Sequence, residues 1–367
     1  MAKQLVAGYF WRLRMISALI EPPITKPFKQ QEDFHMTCRI LMCLLVFGAA
    51  TLGLTPVSLY AQVESTNKNK FRQLKQESTT PNVYRSASGA PGHDYWQNRA
   101  DYEMQIELDD TTQRIMGTET ITYHNNSPDE LNYLWLQLDQ NMRAQDSDTK
   151  KISTGAINDR MSFRNLRQMH DDFDGGFKIE WVQDRRSQPL PHTINKTMMR
   201  VDLPGPLKSG SSFTFKVKWW YNVNDRMKIG GRSGYEYFKD DDNYLYTVAQ
   251  FFPRLAVYNE VDGWQHKQFL GRGEFTLEFG DYRVSLTVPS DHVVAATGVL
   301  QNPRDVLTST QQQRFTRSRS ASEPVVIVTE EEAIENEKEK ATDKKTWVFQ
   351  GDNVRDFAFA SSRKFIW

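Results

Sequence analysis

The sequence over residues 244–298 constrains the fold more than any other part of the chain. Phe275, Leu277 and Phe279 alternate with polar residues, and a Gly-Asp pair separates them from a second alternating run at residues 282–288. A Pro-Ser-Asp turn then precedes a further apolar run at residues 293–296. Alternation with a period of two, interrupted by Gly, Pro and Asp, is typical of strands joined by turns. We therefore expect strands at residues 275–279, 282–288 and 293–296.

The first half of the same stretch is less regular. The run Gln250-Phe251-Phe252-Pro253-Arg254 places a proline inside apolar sequence. Because proline cannot donate a hydrogen bond to a strand ladder, residues 251–256 are predicted to form a loop or a sheet edge. A loop carried on a rigid sheet is a common place for functional residues.

Elsewhere the chain repeats the alternating pattern, which predicts an all-β fold of twisted, largely antiparallel sheets in a sandwich or saddle-like arrangement. The further expected strands lie at residues 102–108, 114–123, 131–138, 177–182, 198–203, 212–221, 313–316, 324–328, 347–350 and 357–362. Residues 141–176 are polar and are interpreted as an insertion with one short helix near residues 164–169. The highly charged residues 329–345 are interpreted as a solvated loop between strands, because the run has mixed sign and no aromatic residue.

Composition excludes some classes of function. The 367 residues include 46 basic and 46 acidic side chains, so charge gives no global argument for nucleic acid or an anionic membrane. The two cysteines, Cys38 and Cys43, both lie near the N-terminus, so the rest of the chain has no thiolate for a metal site or a disulfide.

The N-terminal quarter is predicted to contain a targeting segment. Residues 36–61 combine a short basic region, an apolar run and a terminal Ala61, which is typical of a secretory signal peptide. The alternative is an uncleaved anchor through residues 40–54, although about 15 apolar residues are short of the ~20 needed to span a bilayer. Either interpretation predicts an exported protein, in the periplasm or outside the cell. Residues 1–35 have no assigned role, and the polar residues 62–94 are interpreted as a linker.

No complete catalytic motif is found. The seven histidines are isolated, without H-E-x-x-H spacing, so we expect no metal ligand among them. No Gly-x-Ser-x-Gly elbow and no phosphate loop occurs. The basic and aromatic run at residues 216–221 places Lys216 and Lys218 on one face and Phe215 and Val217 on the other, which indicates an ordinary half-buried strand rather than a nucleic-acid surface.

Four strings nevertheless resemble a known family. They are Ala-Gln-Phe-Phe-Pro-Arg at residues 249–254, Gly-Glu-Phe with Phe-Gly-Asp-Tyr at residues 273–282, Val-Val-Ala-Ala-Thr-Gly at residues 293–298, and Asn-Val-Arg-Asp-Phe-Ala-Phe-Ala at residues 353–360. Together they resemble the N-terminal β domain of zinc aminopeptidases of the aminopeptidase N and leukotriene hydrolase family, most closely the exported bacterial members. The resemblance implies such a domain at residues 95–350, followed at residues 351–367 by the junction toward a catalytic domain.

The resemblance implies a saddle-shaped β domain that forms one wall of a peptide cleft. Zinc is then expected in the full-length enzyme, with no cofactor in this chain, which lacks H-E-x-x-H and is expected to be an inactive fragment. In the family, a glutamine of this domain often accepts a hydrogen bond from the free α-amino group of the substrate. Gln250 is the nearest match, and the alternative is a loop glutamine that bonds the backbone. Arg254 and Tyr258 are candidates for the same wall, with Trp264 beside them, although packing is the simpler role for all three.

The implied partners are a peptide N-terminus and the catalytic domain, with no nucleic acid, and a membrane only through the signal segment. A self-contained exported β-sandwich that binds sugar or protein is the alternative. A reading frame that continues past Trp367 into H-E-x-x-H would favour the first interpretation, and a stop codon there would favour the second.

Overall fold

The computed structural model describes residues 80–152, 160–163, 172–271, 273, 275–338 and 340–367. The extension at residues 1–35, the signal segment and the helix expected near residues 164–169 all lie outside these ranges. Within the described residues, no helix has the length and apolar character needed to cross a bilayer.

Strands dominate the described chain, and the all-β prediction is confirmed. In chain order they are β1 (Arg99–Asp109), β2 (Arg114–Asn125), β3 (Leu131–Gln137), β4 (Lys178–Asp184), β5 (His192–Asn195), β6 (Met198–Leu207), β7 (Ser211–Asn222), β8 (Gly234–Phe238), β9 (Asn243–Val248), β10 (Arg254–Leu255), β11 (Tyr258–Asn259), β12 (Gly263–Trp264), β13 (Gly280–Pro289), β14 (Val293–Ala296), β15 (Val299–Leu300), β16 (Lys344–Val354) and β17 (Phe359–Ser362).

Helices in the described residues are short. In chain order they are α1 (Asp148–Ile152), α2 (Arg226–Ile229), α3 (Pro303–Val306), α4 (Ser309–Ser318) and α5 (Glu330–Lys338), with a 3₁₀ turn at Asp139–Arg143. The last three lie between β15 and β16.

The strands form three larger sheets and a hairpin of β11 with β12. The first sheet has the order β15-β16-β13-β1-β2-β7-β4, the second β10-β3-β6-β5, and the third β14-β17-β9-β8. Pairing is antiparallel throughout these sheets except between β1 and β13, which run parallel with Tyr102 opposite Tyr282. The expected largely antiparallel architecture is therefore confirmed.

One apolar core joins the three sheets, and the strands β1, β2 and β7 contribute to it by alternating inward and outward residues. The strand β7 illustrates the pattern: Phe215, Val217 and Trp219 are buried, whereas Lys216 and Lys218 are exposed. The predicted half-buried strand at this position is confirmed. Buried residues of all three sheets belong to the same cluster, including Met104, Leu136 and Phe359.

Three local predictions differ from the structure. Residues 275–278 form no strand, and Phe279 makes a single bridge to Arg99. Residues 313–316 belong to the helix α4, which starts with a capping box between Thr308 and Gln311. Residues 324–328 lie outside the regular strands, although Val328 exchanges backbone hydrogen bonds with Trp367.

The charged run at residues 329–345 also contains a helix where a loop was expected. The helix α5 has three glutamates in its first turn and Lys338 in its last, an order that favours the helix dipole. Thr329 and Glu332 cap its start: the Glu332 amide donates to Thr329 Oγ1 at 3.3 Å, and the Thr329 amide donates to Glu332 Oε2 at 2.8 Å.

The described end of the predicted linker contacts the β domain. Gly92 N donates to Tyr84 O at 2.7 Å, which closes a turn, and Arg85 pairs with Glu260 near the β11–β12 hairpin.

Candidate functional site

Residues 249–256, here called the junction segment, connect the three sheets. Phe251 and Phe252 have no exposed surface. The centre of the Phe251 ring lies 5.2 Å from the ring centre of Phe359 in the third sheet and 6.3 Å from that of Trp219 in the first. The strand β10 then pairs with β3 of the second sheet, which confirms the prediction that residues 251–256 form a loop and a sheet edge.

The aromatic pair also fixes the segment against the parallel strands of the first sheet. The Phe252 ring lies 5.4 Å from Tyr102 and 6.0 Å from Tyr282. The Tyr102 hydroxyl accepts the Leu255 amide at 2.9 Å. The backbone that follows Gln250 is therefore held by buried contacts on several sides.

Gln250 stands at the entrance to this packed segment. Its φ of 53° lies in the left-handed region, which is uncommon for a residue other than glycine. Its carbonyl accepts the side chain of Gln140 at 2.9 Å. The side chain is half-buried, and its amide has no hydrogen-bond partner among the residues that the structure describes. Gln250 thus combines a fixed backbone with an amide that is available to a ligand.

Arg254 is buried, and two carboxylates hold it. Its Nη2 donates to Asp139 Oδ2 at 2.7 Å, and its Nη1 donates to Asp356 Oδ2 at 2.7 Å. Burial by itself lowers the pKa of Arg254, but the charges of the two carboxylates outweigh burial and the pKa is raised. The guanidinium therefore remains charged and joins the 3₁₀ turn to the loop before β17.

Tyr258 belongs to a different part of the surface. Its hydroxyl donates to Asp129 Oδ2 at 2.7 Å, and its ring lies 5.2 Å from Trp264 and 5.9 Å from Trp96. Burial, followed by the hydrogen bond to Asp129, raises the pKa of Tyr258 to about 12. The tyrosine is therefore neutral at physiological pH and packs within an aromatic group.

The structure brings two of the three predicted site residues together. Gln140 holds the carbonyl of Gln250 and the adjacent Asp139 binds Arg254, so both residues contact the 3₁₀ turn after β3. Tyr258 instead contacts Asp129, which precedes β3. The seven residues of β3 lie between these positions, about 23 Å of extended chain.

Two buried polar residues were not singled out from the sequence. Both carboxyl oxygens of Glu119 and both amide atoms of Gln137 are buried, with no hydrogen-bond partner among the described residues. Burial raises the pKa of Glu119 well above its ordinary value, which favours the uncharged form of its carboxyl. A sequence signal existed for Glu119: it occupies the inward-facing register of β2 together with Ile115, Ile121 and Tyr123.

One of the isolated histidines, His292, is buried. It has no exposed surface, its Nδ1 lies 2.8 Å from Ser361 Oγ, and Ser361 is equally buried. Burial, with the nearby positive charges of Arg363 and Lys345, lowers the pKa of His292 to about 3. A neutral histidine and a serine closed off from solvent make a structural pair, because no substrate can reach them.

The zinc that the resemblance implies for the full-length enzyme has no ligand cluster among the described residues. Across these residues, no group of three or more His, Cys, Asp or Glu side chains is arranged to hold a metal ion.

Comparison with known proteins gave matches to solved structures alone. No family model matches the sequence, and no curated protein matches it. A crystal structure of an M1 zinc metallopeptidase from Deinococcus radiodurans is similar with 12% identity and a TM-score of 0.35, over 74% of this chain and 43% of that one. A variant of that enzyme bound to a Tyr-Ser-Ala substrate gives 12% identity and a TM-score of 0.36, over 72% and 42%. A two-domain M1 metallopeptidase variant bound to L-arginine gives 13% and 0.36, over 74% and 44%. The chain thus spans less than half the length of these proteins.

Proposed function

We propose that this chain is the non-catalytic N-terminal β domain of an exported zinc aminopeptidase. It forms one wall of the peptide cleft and binds the free N-terminus of the substrate. The proposal starts from the resemblance of residues 249–254, 273–282, 293–298 and 353–360 to that family. The observation that carries it is the state of Gln250, whose backbone is fixed and whose amide is free of protein partners among the described residues.

Gln250 has the chemistry that recognition of an α-amino group requires. A glutamine amide oxygen accepts hydrogen bonds and carries no charge, so it can accept an N–H of a substrate ammonium. Because Gln140 and the buried Phe251 fix the backbone, little conformational entropy of the main chain remains to be lost on binding. A peptide with an acetylated N-terminus lacks the ammonium and would bind more weakly.

Arg254 contributes to the proposed wall by positioning rather than by contact. It is held on two sides by Asp139 and Asp356, so it fixes the 3₁₀ turn that in turn holds the carbonyl of Gln250. Tyr258 would contact a longer substrate at most, because it lies near the opposite end of β3.

Zinc in the full-length enzyme would polarise the scissile carbonyl and lower the pKa of a bound water. The ligands for that zinc are expected from the catalytic domain of the proposed enzyme, since the described residues offer no cluster for them. Export follows, in this proposal, from the signal-like residues 36–61.

The first test is enzymatic. We expect the purified chain with added zinc to release no product from aminoacyl-anilide substrates. We expect the full gene product, read past the codon for Trp367, to contain H-E-x-x-H and to hydrolyse the same substrates. Metal-dependent turnover by the isolated chain would contradict the inactive-domain proposal, and an immediate stop codon would favour the binding-module alternative.

The second test concerns Gln250. In the full-length enzyme, Gln250→Ala should raise KM for peptides with a free N-terminus about tenfold or more, because a hydrogen bond to a charged group is lost. Gln188→Ala, at an exposed turn, is the matched control and should leave KM unchanged. An unchanged KM in the Gln250 variant would remove this residue from the recognition of the N-terminus.

A further inference from the structure

A small cavity lies between the helices that follow β15 and the edge of the first sheet. Its volume is about 130 Å³, which leaves room for several waters or for one molecule of a few heavy atoms. The turn between β13 and β14, the start of α4, the helix α5 and the strand β16 each contribute to its wall. The polar residues that matter for the argument are Asp291, Lys345 and Trp347.

Two of these residues carry buried polar atoms that have no partner within the described part of the chain. The Oδ1 atom of Asp291 and the Nε1 atom of Trp347 make no hydrogen bond with the residues that the structure describes, and Trp347 has no exposed surface. Buried polar groups are nearly always satisfied, and an unsatisfied one costs free energy. Because both residues line the cavity, a polar molecule bound there is the simplest partner for these two atoms.

Asp291 is oriented so that one oxygen remains available. Its Oδ2 atom accepts the Ala341 amide at 2.7 Å and Arg363 Nε at 2.7 Å. Arg363 also donates to Asp110 at 2.9 Å, so the guanidinium is itself held in place. These contacts fix the carboxylate and leave Oδ1 as an acceptor without a donor.

Lys345 supplies a positive charge on the same wall. Its Nζ lies 5.1 Å from the centre of the Trp347 ring and donates to the carbonyl of Val306 at 3.2 Å. Burial lowers the pKa of Lys345 to about 8, although Asp291 and Asp343 act in the opposite direction. Lys345 and Asp291 attract each other but make no direct ion pair in the described part of the chain.

We propose that this cavity binds a small free α-amino acid such as glycine or alanine. The carboxylate of the ligand accepts from Lys345 Nζ and Trp347 Nε1, and its ammonium group donates to Asp291 Oδ1. A simple anion could accept hydrogen bonds from Lys345 and Trp347, but the carboxylate of Asp291 would repel it. A zwitterion complements both the positive charge of Lys345 and the negative charge of Asp291. The size of the cavity favours an amino acid with the smallest side chains.

This binding does not depend on the proposed function, because none of these three residues takes part in the junction segment. If the chain does belong to an aminopeptidase, the ligand has the chemistry of the product that such an enzyme releases. A failure of amino-acid binding would leave the kinetic test of Gln250 unaffected.

The experiment is a titration of the full chain, labelled with ¹⁵N at the tryptophan indoles, with glycine and with L-alanine. The Trp347 resonance is assigned from its absence in Trp347→Phe. We expect a saturable shift of this resonance, with weakening of about tenfold or more in Lys345→Met, because a charge-assisted hydrogen bond is lost. Lys344→Met is the matched control: Lys344 pairs with Glu107 at 2.5 Å, and the variant should bind as the wild type does.

Two ligand analogues identify which groups are recognised. Glycinamide lacks the carboxylate and acetate lacks the ammonium, so each should bind at least about tenfold more weakly than glycine. An indole resonance that does not shift with glycine or alanine would overturn the proposal and indicate a cavity that holds water only. Equal binding of acetate and glycine would overturn it in favour of a simple anion site. If Trp347→Phe does not fold, the Trp347 resonance stays unassigned, but the test remains decisive. The indole signals that shift with glycine in the wild type can still be followed in Lys345→Met, where they should shift only at higher glycine concentration.

Discussion

Arg254 donates to Asp139 through two of its guanidinium nitrogens, with Nε at 3.1 Å and Nη2 at 2.7 Å from Oδ2. Both side chains are almost fully buried, at 6% and 2% exposure. The pair fixes the junction segment to the 3₁₀ turn after β3, and Asp356 extends the contact to the loop before β17.

The first prediction concerns the stability that depends on this pair. Arg254→Met should lower the free energy of unfolding by about 3–5 kcal/mol, because it leaves buried carboxylates without their counter-charge. Equilibrium urea denaturation measures the change. Lys218→Met breaks an exposed ion pair with Glu180 and should cost less than about 1 kcal/mol. Equal losses of unfolding free energy in the two variants would show that the buried pair stabilises the fold no more than the exposed pair does.

The second prediction concerns pH. Burial raises the pKa of Glu278 to about 8, against about 4.3 in an unfolded chain. Between these values the folded chain binds a proton that the unfolded chain has released, so stability is complete below pH about 4 and falls as pH rises toward about 8. Relative to Glu278→Gln, the wild type should lose a few kcal/mol of unfolding free energy between pH 5 and pH 8.

Denaturation curves at several pH values test this directly. The variant Glu130→Gln, at an exposed position before β3, serves as the control and should follow the wild-type curve. A wild-type curve parallel to that of Glu278→Gln would contradict the assignment of a protonated Glu278.

The third prediction concerns the backbone of Gln250. A residue other than glycine at a φ of 53° carries a conformational cost of about 1 kcal/mol, and glycine does not. Gln250→Gly should therefore retain or raise thermal stability while it removes the amide that the proposed recognition uses. Calorimetry gives the first quantity. A drop in melting temperature would mean that the Gln250 side chain is needed for packing rather than for a ligand.

The fourth prediction concerns the close approach of β1 and β13. A Cβ atom added at Gly280 would lie 1.7 Å from the carbonyl oxygen of Ala100, so the two strands would have to separate. Gly280→Ala should cost about 3 kcal/mol, at the upper end of the usual cost of overpacking, because the contact is with backbone. Gly205→Ala in β6 meets nothing within 4 Å and should change stability by less than about 1 kcal/mol. A mild effect at Gly280 would show that the parallel pair can shift without loss.

The sequence allowed prediction of the strands whose two faces differ in polarity. The strand β7 is an example, because Lys216 and Lys218 contrast with Phe215 and Val217 along the chain. The same contrast misled the prediction at residues 275–279: Phe275, Leu277 and Phe279 alternate with polar residues, yet residues 275–278 pair with no strand in the described chain. An alternating pattern is a property of one segment, whereas a strand forms only where a neighbouring strand is close enough to share backbone hydrogen bonds.

The helix α4 was missed although its signal is present. Thr308 and Gln311 have the capping-box spacing, and this local signal competes with the β-prone residues Phe315 and Thr316. The candidate site was predicted in part. The proximity of Gln250 and Arg254 follows from their short separation in sequence, but the partner Asp139 lies more than a hundred residues earlier. The buried position of Glu119 is readable from the register of β2, whereas the pairing of β1 with β13 has no signature in either strand alone.

That parallel pairing has a consequence for folding in the cell. The strands β1, β2, β7 and β4 are all available once residue 222 has been synthesised, whereas β13 follows almost sixty residues later. Until then the backbone of β1 is an open edge that can pair with another chain. Nascent chains stalled before residue 280 should therefore associate through this edge and depend on chaperones, whereas release after residue 289 permits closure of the sheet.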